Sequence, residues 1–179
     1  MVAPAIRLSS FACAVLLAAS LAGCGGGGMS DTMDSGSRGG GGGTGLAAMT
    51  PTEQAGADAI FALVNQERAN AGLAPLVLDT IATRTAYDHA LDMRMRGYFD
   101  HDTPEGMTPG QRLAGAGCMF RDWAENIAEG DPTPADVMLD WMNSPEHRAN
   151  VMNSQFTHMG IGVCFSGSTP YWVEDFVAK

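Results

Sequence analysis

The chain has 179 residues, with 20 Asp and Glu against 10 Lys and Arg, for a formal charge of −10 at neutral pH. Nucleic acids and anionic lipid surfaces call for clustered positive charge, so this balance argues against either as the main partner of the folded part. Acidity of this kind is most simply what keeps an exported protein soluble.

The first residues have the build of an export signal over residues 1–23. Arg7 lies in a short basic start, and an apolar run follows from Phe11 to Ala22. A membrane-spanning helix needs about 20 apolar residues, so this run reads as a signal segment. It ends in Leu21-Ala22-Gly23-Cys24, which looks like a bacterial lipobox. Cys24 would then become the first mature residue and carry the acyl chains that tether the protein to a membrane, each buried methylene adding ~0.8 kcal/mol. An ordinary secretory signal cleaved near the same small residues is the alternative. Gly25 in place of aspartate after Cys24 favours the outer membrane in a two-membrane bacterium. Residues 24–51 are dominated by Gly, Ser and Thr, including Gly25 to Gly28 and Gly39 to Gly43. With so little apolar surface to offset the entropy of ordering, this segment is expected to be a disordered tether reaching roughly 30 Å. Its glycines do not sit between a strand and a helix, so no nucleotide site is read from them.

Residues 52–179 have the size of one domain with a single core. The apolar spacing predicts a first helix from about Thr52 to Ala71, with Ile60, Leu63 and Val64 inward, Asn65, Gln66 and Arg68 outward, and Gly72 beyond its end. Leu76-Val77-Leu78 leads to Asp79, which caps a second helix with Ile81, Ala82, Ala86, Ala90 and Met93 on one side, closed by Gly97. The turn-rich segment Tyr98 to Gly110 places His101 on a loop. A short helix at about Thr108 to Ala116 has Pro109 in its first turn. Glu125 falls in a short strand or extended loop between Trp123 and Ile127. Thr133-Pro134 opens a helix with Val137, Met138 and Trp141 inward, ending before Pro145. Ser144 caps a further turn, which puts His147 in the first turn of a short helix. Met159 to Phe165 and Tyr171 to Val177 read as strands, joined by a hairpin loop over Ser166 to Pro170.

Five phrases stand out in this domain: Leu63-Val64-Asn65-Gln66-Glu67-Arg68, Tyr98-Phe99-Asp100-His101-Asp102-Thr103-Pro104-Glu105-Gly106, Ala124-Glu125-Asn126-Ile127-Ala128, Trp141-Met142-Asn143-Ser144-Pro145-Glu146-His147-Arg148-Ala149-Asn150, and Gly160-Ile161-Gly162-Val163 before Val173-Glu174-Asp175-Phe176. In this order they resemble the CAP superfamily of cysteine-rich secretory proteins, antigen 5 and pathogenesis-related 1 proteins, in its bacterial extracellular form. The resemblance covers about Ile60 to Phe176 and implies an α+β fold, an α-β-α sandwich with a small antiparallel sheet between helices. Eukaryotic members line a cavity with two histidines and two glutamates. Carried over by position, these fall on His101, Glu125, His147 and, for the second glutamate, Ser144, so this chain keeps three of the four.

Two imidazoles and a carboxylate are a ligand set for an open divalent metal site, zinc foremost, provided that tertiary structure brings together residues 24 and 22 positions apart. The other reading of His101, Glu125 and His147 is a hydrogen-bonded cluster that pins helices to a loop. His89 reads as a partly buried or surface helix residue, and His158 as solvated. Trp123, Trp141 and Trp172 fit the core, and Met93, Met95, Met138, Met142 and Met159 fit core filling better than a copper site. Cys13 lies in the signal and Cys24 at the lipid site, which leaves Cys118 and Cys164. Export puts these where disulfides persist, so they are expected to pair, two buried free thiols being the alternative.

Three functions fit. The first is an envelope-tethered, non-enzymatic binding module for a small-molecule or lipid ligand or an envelope component, expected to be monomeric and periplasmic or extracellular. The second is a metal-assisted hydrolase of peptide or envelope polymer, with Glu125 as ligand or general base. The third is a structural or adhesion module. The chain has no serine or cysteine beside a histidine in a recognisable nucleophile phrase.

Overall fold

A computed structural model of the chain describes residues 6–7, 48–165 and 169–179. Cys24, the expected tether up to residue 47 and most of the expected signal lie outside the described residues, as do residues 166–168 of the expected hairpin loop; the last residues of the expected tether instead cap and open α1. The elements are β1 (Ile6–Arg7), α1 (Pro51–Asn70), β2 (Val77–Leu78), α2 (Thr80–Arg96), α3 (Pro109–Gly115), β3 (Asp122–Glu129), α4 (Pro134–Asn143), α5 (Pro145–Val151), β4 (His158–Cys164) and β5 (Tyr171–Ala178).

Helix boundaries follow local chemistry. Thr50 and Glu53 form a capping box at the start of α1, and Thr108 and Gln111 form another at α3. The Asp79 carboxylate accepts from the Ala82 N–H at 2.8 Å to open α2, and Gly97 closes it at φ 69°, a left-handed conformation that glycine adopts without strain. Thr133 caps α4. In each case a side-chain oxygen satisfies a backbone donor that the first turn leaves without an intrahelical partner.

The sheet runs β1-β3-β5-β4-β2. Its centre, β3-β5-β4, is antiparallel, while the two-residue strands β1 and β2 lie parallel along its edges. Alternation along the pleat divides the core. One face carries Ala124, Ala128, Met159, Ile161, Val163, Trp172 and Phe176 against Ile60 and Val64 of α1, Val137 and Trp141 of α4, and Val151 of α5. The other face carries Ile127, Val173 and Val177 against Ala82, Ala86, Ala90 and Met93 of α2 and Leu113 of α3. The result is the expected α-β-α sandwich.

The second face has an unusual contact. Alanines on one side of α2 meet Gly160 and Gly162 of β4, and the helix comes so close that a Cβ on Gly160 would lie 2.1 Å from the Ala82 backbone. At Gly162 the same test finds Tyr87 N at 2.1 Å. Helix and strand here touch main chain to main chain.

Some expectations are corrected. Arg68 points inward and is 1% exposed, donating to the carbonyls of Ala74 (3.0 Å), Val151 (2.8 Å), Asn153 (2.9 Å) and Phe156 (3.4 Å). These loop carbonyls need donors, and one guanidinium supplies all four from inside. Asn65 is half-buried for the same reason, donating to Leu76 O and accepting from Leu76 N. Met95 is exposed, not core. Cys118 and Cys164 are both buried and free. Cys164 pairs in register with Tyr171 at one end of β5, whereas Cys118 packs on Val177 at the other. That is roughly 20 Å of strand at about 3.3 Å per residue, and a disulfide needs Cα atoms within about 7 Å. The expected pairing is therefore not made.

Replacing Gly162 by Ala forces α2 away from β4. Overpacking a tight core costs about 1–3 kcal/mol, and more where the clash is with backbone. Urea denaturation is expected to show a loss of at least about 3 kcal/mol for Gly162→Ala, against under about 0.5 kcal/mol for the open Gly115→Ala.

Candidate functional site

Three elements converge on Glu125. β3 carries it to the α2 side of the sheet, where its side chain is fully buried. Loop 98–108 brings His101, whose Nδ1–H donates to Glu125 Oε1 at 2.7 Å. α3 brings Arg112, whose Nη2 donates to Glu125 Oε2 and whose Nη1 donates to the His101 carbonyl at 2.6 Å and the Met107 carbonyl at 3.3 Å. The capping box at Thr108 and the close seat of Gly110 on Trp123, where a Cβ would lie 2.5 Å from the indole nitrogen, fix α3 in place.

A fourth group holds the loop from below. His89 of α2 is 1% exposed, and its Nε2–H donates to the Asp100 carbonyl at 3.0 Å. Burial, only partly offset by the Glu125 charge, pushes its pKa down to about 4, so it is neutral at pH 7. For Glu125, burial acts to raise the pKa, but the hydrogen bond from His101 and the Arg112 charge outweigh it and hold the carboxyl below its usual value. Asp175 stands opposite Glu125 in the β3–β5 register and is equally buried. Burial and the Glu125 charge push its pKa well up, favouring the neutral form.

The next residue, Asn126, points to the opposite face. Its amide donates to Glu174 Oε2 at 3.1 Å and to the His147 carbonyl at 3.2 Å, and its oxygen accepts from Asn150 at 2.8 Å. His147, at the third position of α5 and fully buried, has Nδ1 2.7 Å from Ser144 Oγ. Ser144 is thus the N-cap by position, but its hydroxyl serves the imidazole and makes no side-chain cap to the helix backbone.

The structure therefore joins His101 directly to Glu125 and anchors His147 through Ser144 and, from the opposite face of the sheet, Asn126. Among the described residues no three His, Cys, Asp or Glu side chains are grouped so that they could hold a metal ion. Both Glu125 oxygens and His101 Nδ1 are engaged with one another or with Arg112. Of the expected zinc set, His101 meets Glu125, whose carboxylate Arg112 also holds, and His147 is bonded to Ser144. Sequence reading missed Arg112 and Asp175, and placed His89 on its helix as partly buried or surface, where it is fully buried and bonded to the loop. The capped helix at Thr108 was a usable signal for Arg112, whereas Asp175 lay unnoticed beside Glu174 in an otherwise apolar strand.

An open depression of about 430 Å³ lies elsewhere, between the end of α1 and α5, lined by Ala71, Leu73, Pro145, Arg148, Ala149 and Met152. None of the groups around Glu125 reaches it.

A sandwich of helices on a β3-β5-β4 sheet, with a histidine–glutamate contact at its edge loop, defines the class. The chain belongs to the cysteine-rich secretory protein (CAP) family, whose family model matches residues 61–176. It is 38% identical over 120 residues to YkwD of Bacillus subtilis (strain 168), covering 67% of this chain and 46% of that protein. It is also similar to the crystal structure of an extracellular protein containing an SCP domain from Bacillus anthracis str. Ames, at 31% identity and a TM-score of 0.67, covering 75% of this chain and 45% of that one. An outer surface protein of Borrelia burgdorferi shares the fold at 21% identity and a TM-score of 0.64, covering 68% of this chain and 91% of that one. The chain spans less than half the length of the curated relatives it matches. No helix among the described residues is long and apolar enough to cross a membrane.

Two predictions follow the geometry. Arg112→Met leaves Glu125 buried without its cation and is expected to cost about 3–5 kcal/mol in urea denaturation at pH 7. Glu125→Gln in the same chain should restore more than half of that loss, whereas simple loss of packing would leave it unrestored. His89 has a folded pKa below its unfolded value of 6.5, so its contribution is complete above pH 6.5 and is lost as pH falls toward 4. His89→Gln keeps a donor for the Asp100 carbonyl and should remove roughly 3 kcal/mol of the acid-side loss between pH 7 and 4. Parallel stability profiles of the two proteins would refute this role.

Proposed function

We propose that this protein is an exported CAP-domain binding module, tethered to the cell envelope through Cys24, and that the surface beside His101 receives a small amphiphilic ligand. The observation that carries the reading is the state of Glu125. Both of its oxygens are occupied by His101 and Arg112, so the carboxylate is committed to holding loop 98–108 and not to accepting a proton from water. The cluster acts as a clamp that shapes a surface. His101, 8% exposed, lies at the edge of that clamp, and Met107 of the same loop is 48% exposed. A half-exposed flexible thioether beside a buried charged cluster suits a ligand with an apolar body and a polar end.

Titration of the full chain with a fluorescent fatty acid such as cis-parinaric acid tests this. Saturable binding is expected, weakened at least fivefold in Met107→Ser with the fold unchanged by circular dichroism. Absence of saturation would remove the amphiphile from the reading.

A further inference from the structure

The edge of β3 that faces away from β5 is treated differently along its length. Gly130 donates its N–H to the Pro170 carbonyl, just ahead of β5, at 2.9 Å. Alternation along the strand then turns Glu125, Ile127 and Glu129 the other way, with their backbone N–H and C=O groups toward the outer edge. Asn150 of α5 donates to the Glu125 carbonyl and Trp141 of α4 to the Ile127 carbonyl, each at 3.4 Å. At the end of β3 the edge takes a strand instead. β1 runs parallel to it, with Ile6 opposite Ala128 and Arg7 opposite Glu129. This register gives the Ile6 N–H to the Ile127 carbonyl and the Glu129 N–H to the Ile6 carbonyl, as in any parallel ladder.

The strand seated there comes from far ahead of the domain, in the basic start of the expected export signal. This inference rests on the reading of an exported protein anchored through Cys24, in which cleavage before Cys24 removes Ile6 and Arg7. The end of β3 in the processed protein then offers Glu129 backbone groups to whatever extended chain can reach them. Open edge groups are templates for a further strand, and proteins that do not use them blunt them with charge, proline or a covering element. Side chains from the helices cover β3 at Glu125 and Ile127, and the cover given to its end is the removable one.

We propose that the edge of β3 from Ile127 to Glu129 is a strand-acceptor site. The chain's own Ile6–Arg7 fills it before the signal is removed. Afterwards an extended peptide of a partner fills it, parallel to β3, with an apolar residue opposite Ala128 and a basic one opposite Glu129. Main-chain bonds supply the affinity in strand addition, and side chains at alternate positions supply the choice of partner. The occupant's chemistry is that of the pair already seated, with a basic residue in register with an acid, in a chain of formal charge −10. The site is also linked to the clamp around Glu125. The Glu129 carboxylate accepts from the Tyr171 hydroxyl at 2.8 Å, and the Tyr171 ring meets that of Phe99, at 6.4 Å between centroids, close to His101 in the same loop.

Amide exchange reads such edge bonds directly, and keeping the chain uncleaved makes the outcome independent of whether Cys24 is processed. Exchange of the Glu129 amide is measured by NMR in the full chain and in Ile6→Pro, which removes the N–H that meets the Ile127 carbonyl. The expected result is exchange at least about tenfold faster in Ile6→Pro, with the Ile161 and Val173 amides in the centre of the sheet unchanged. A synthetic peptide of residues 2–8, added to the Ile6→Pro chain, should restore the protection of Glu129 with saturation. The Ile6→Pro version of that peptide should not. Equal exchange in the two chains would mean that the signal segment does not seat on β3. A folded Ile6→Pro chain that gains no protection at millimolar peptide would mean that the edge takes no strand from outside, and either result overturns the proposal.

Discussion

The contact on which the rest of the structure depends is that of α2 with β4. Gly160 and Gly162 remove the side chains that would hold the helix off, and α2 settles main chain against main chain. That depth sets the height of everything else on this face of the sheet. It buries His89 beneath loop 98–108, and His89 in turn fixes the Asp100 carbonyl, next to His101. It also makes the space around Glu125 dry, which is why the carboxylate needs Arg112 at all.

The central sheet holds three buried acids close together and treats each differently. Glu125 stays charged because a guanidinium and an imidazole meet it. Glu174, on the opposite face, has its pKa raised to about 8 by burial, with Asn126 donating to it, so it is mostly protonated at neutral pH. Asp175 is pushed up by burial and by Glu125 itself. Burial thus works against the charge on Glu174 and Asp175 while His101 and Arg112 favour it on Glu125, which limits the electrostatic cost of placing acids in a core. Asn126 and Asn150 then carry the polar network from the Glu125 backbone and the Glu174 carboxylate to α5, so that His147 belongs to the same connected structure.

Much of this was legible in the chain. Thr, Asp and Pro at helix starts and glycine at the end of α2 mark boundaries to within a residue or two, because capping is a local property of backbone donors and acceptors. The phrases around His101, Glu125 and His147 located the polar centre. Arg68 was misread because an arginine at a helical position with polar neighbours looks solvent-facing. Its burial is decided by carbonyls from residues 74, 151, 153 and 156, most of them more than 80 positions away. His89 was misread for a related reason, since a helix pattern does not say how deep the helix lies.

The sequence by itself determined the family, the order of elements, the layered α+β fold and the residues at its polar heart, because periodicity, caps and motif order are written along the chain. Tertiary structure alone decided which of those residues meet. It gave Glu125 an arginine, Arg112, beside His101, set His147 on Ser144, and kept Cys118 and Cys164 at opposite ends of β5. Such pairings depend on strand register and on the separation of packed layers, and neither is encoded in the spacing of any one segment.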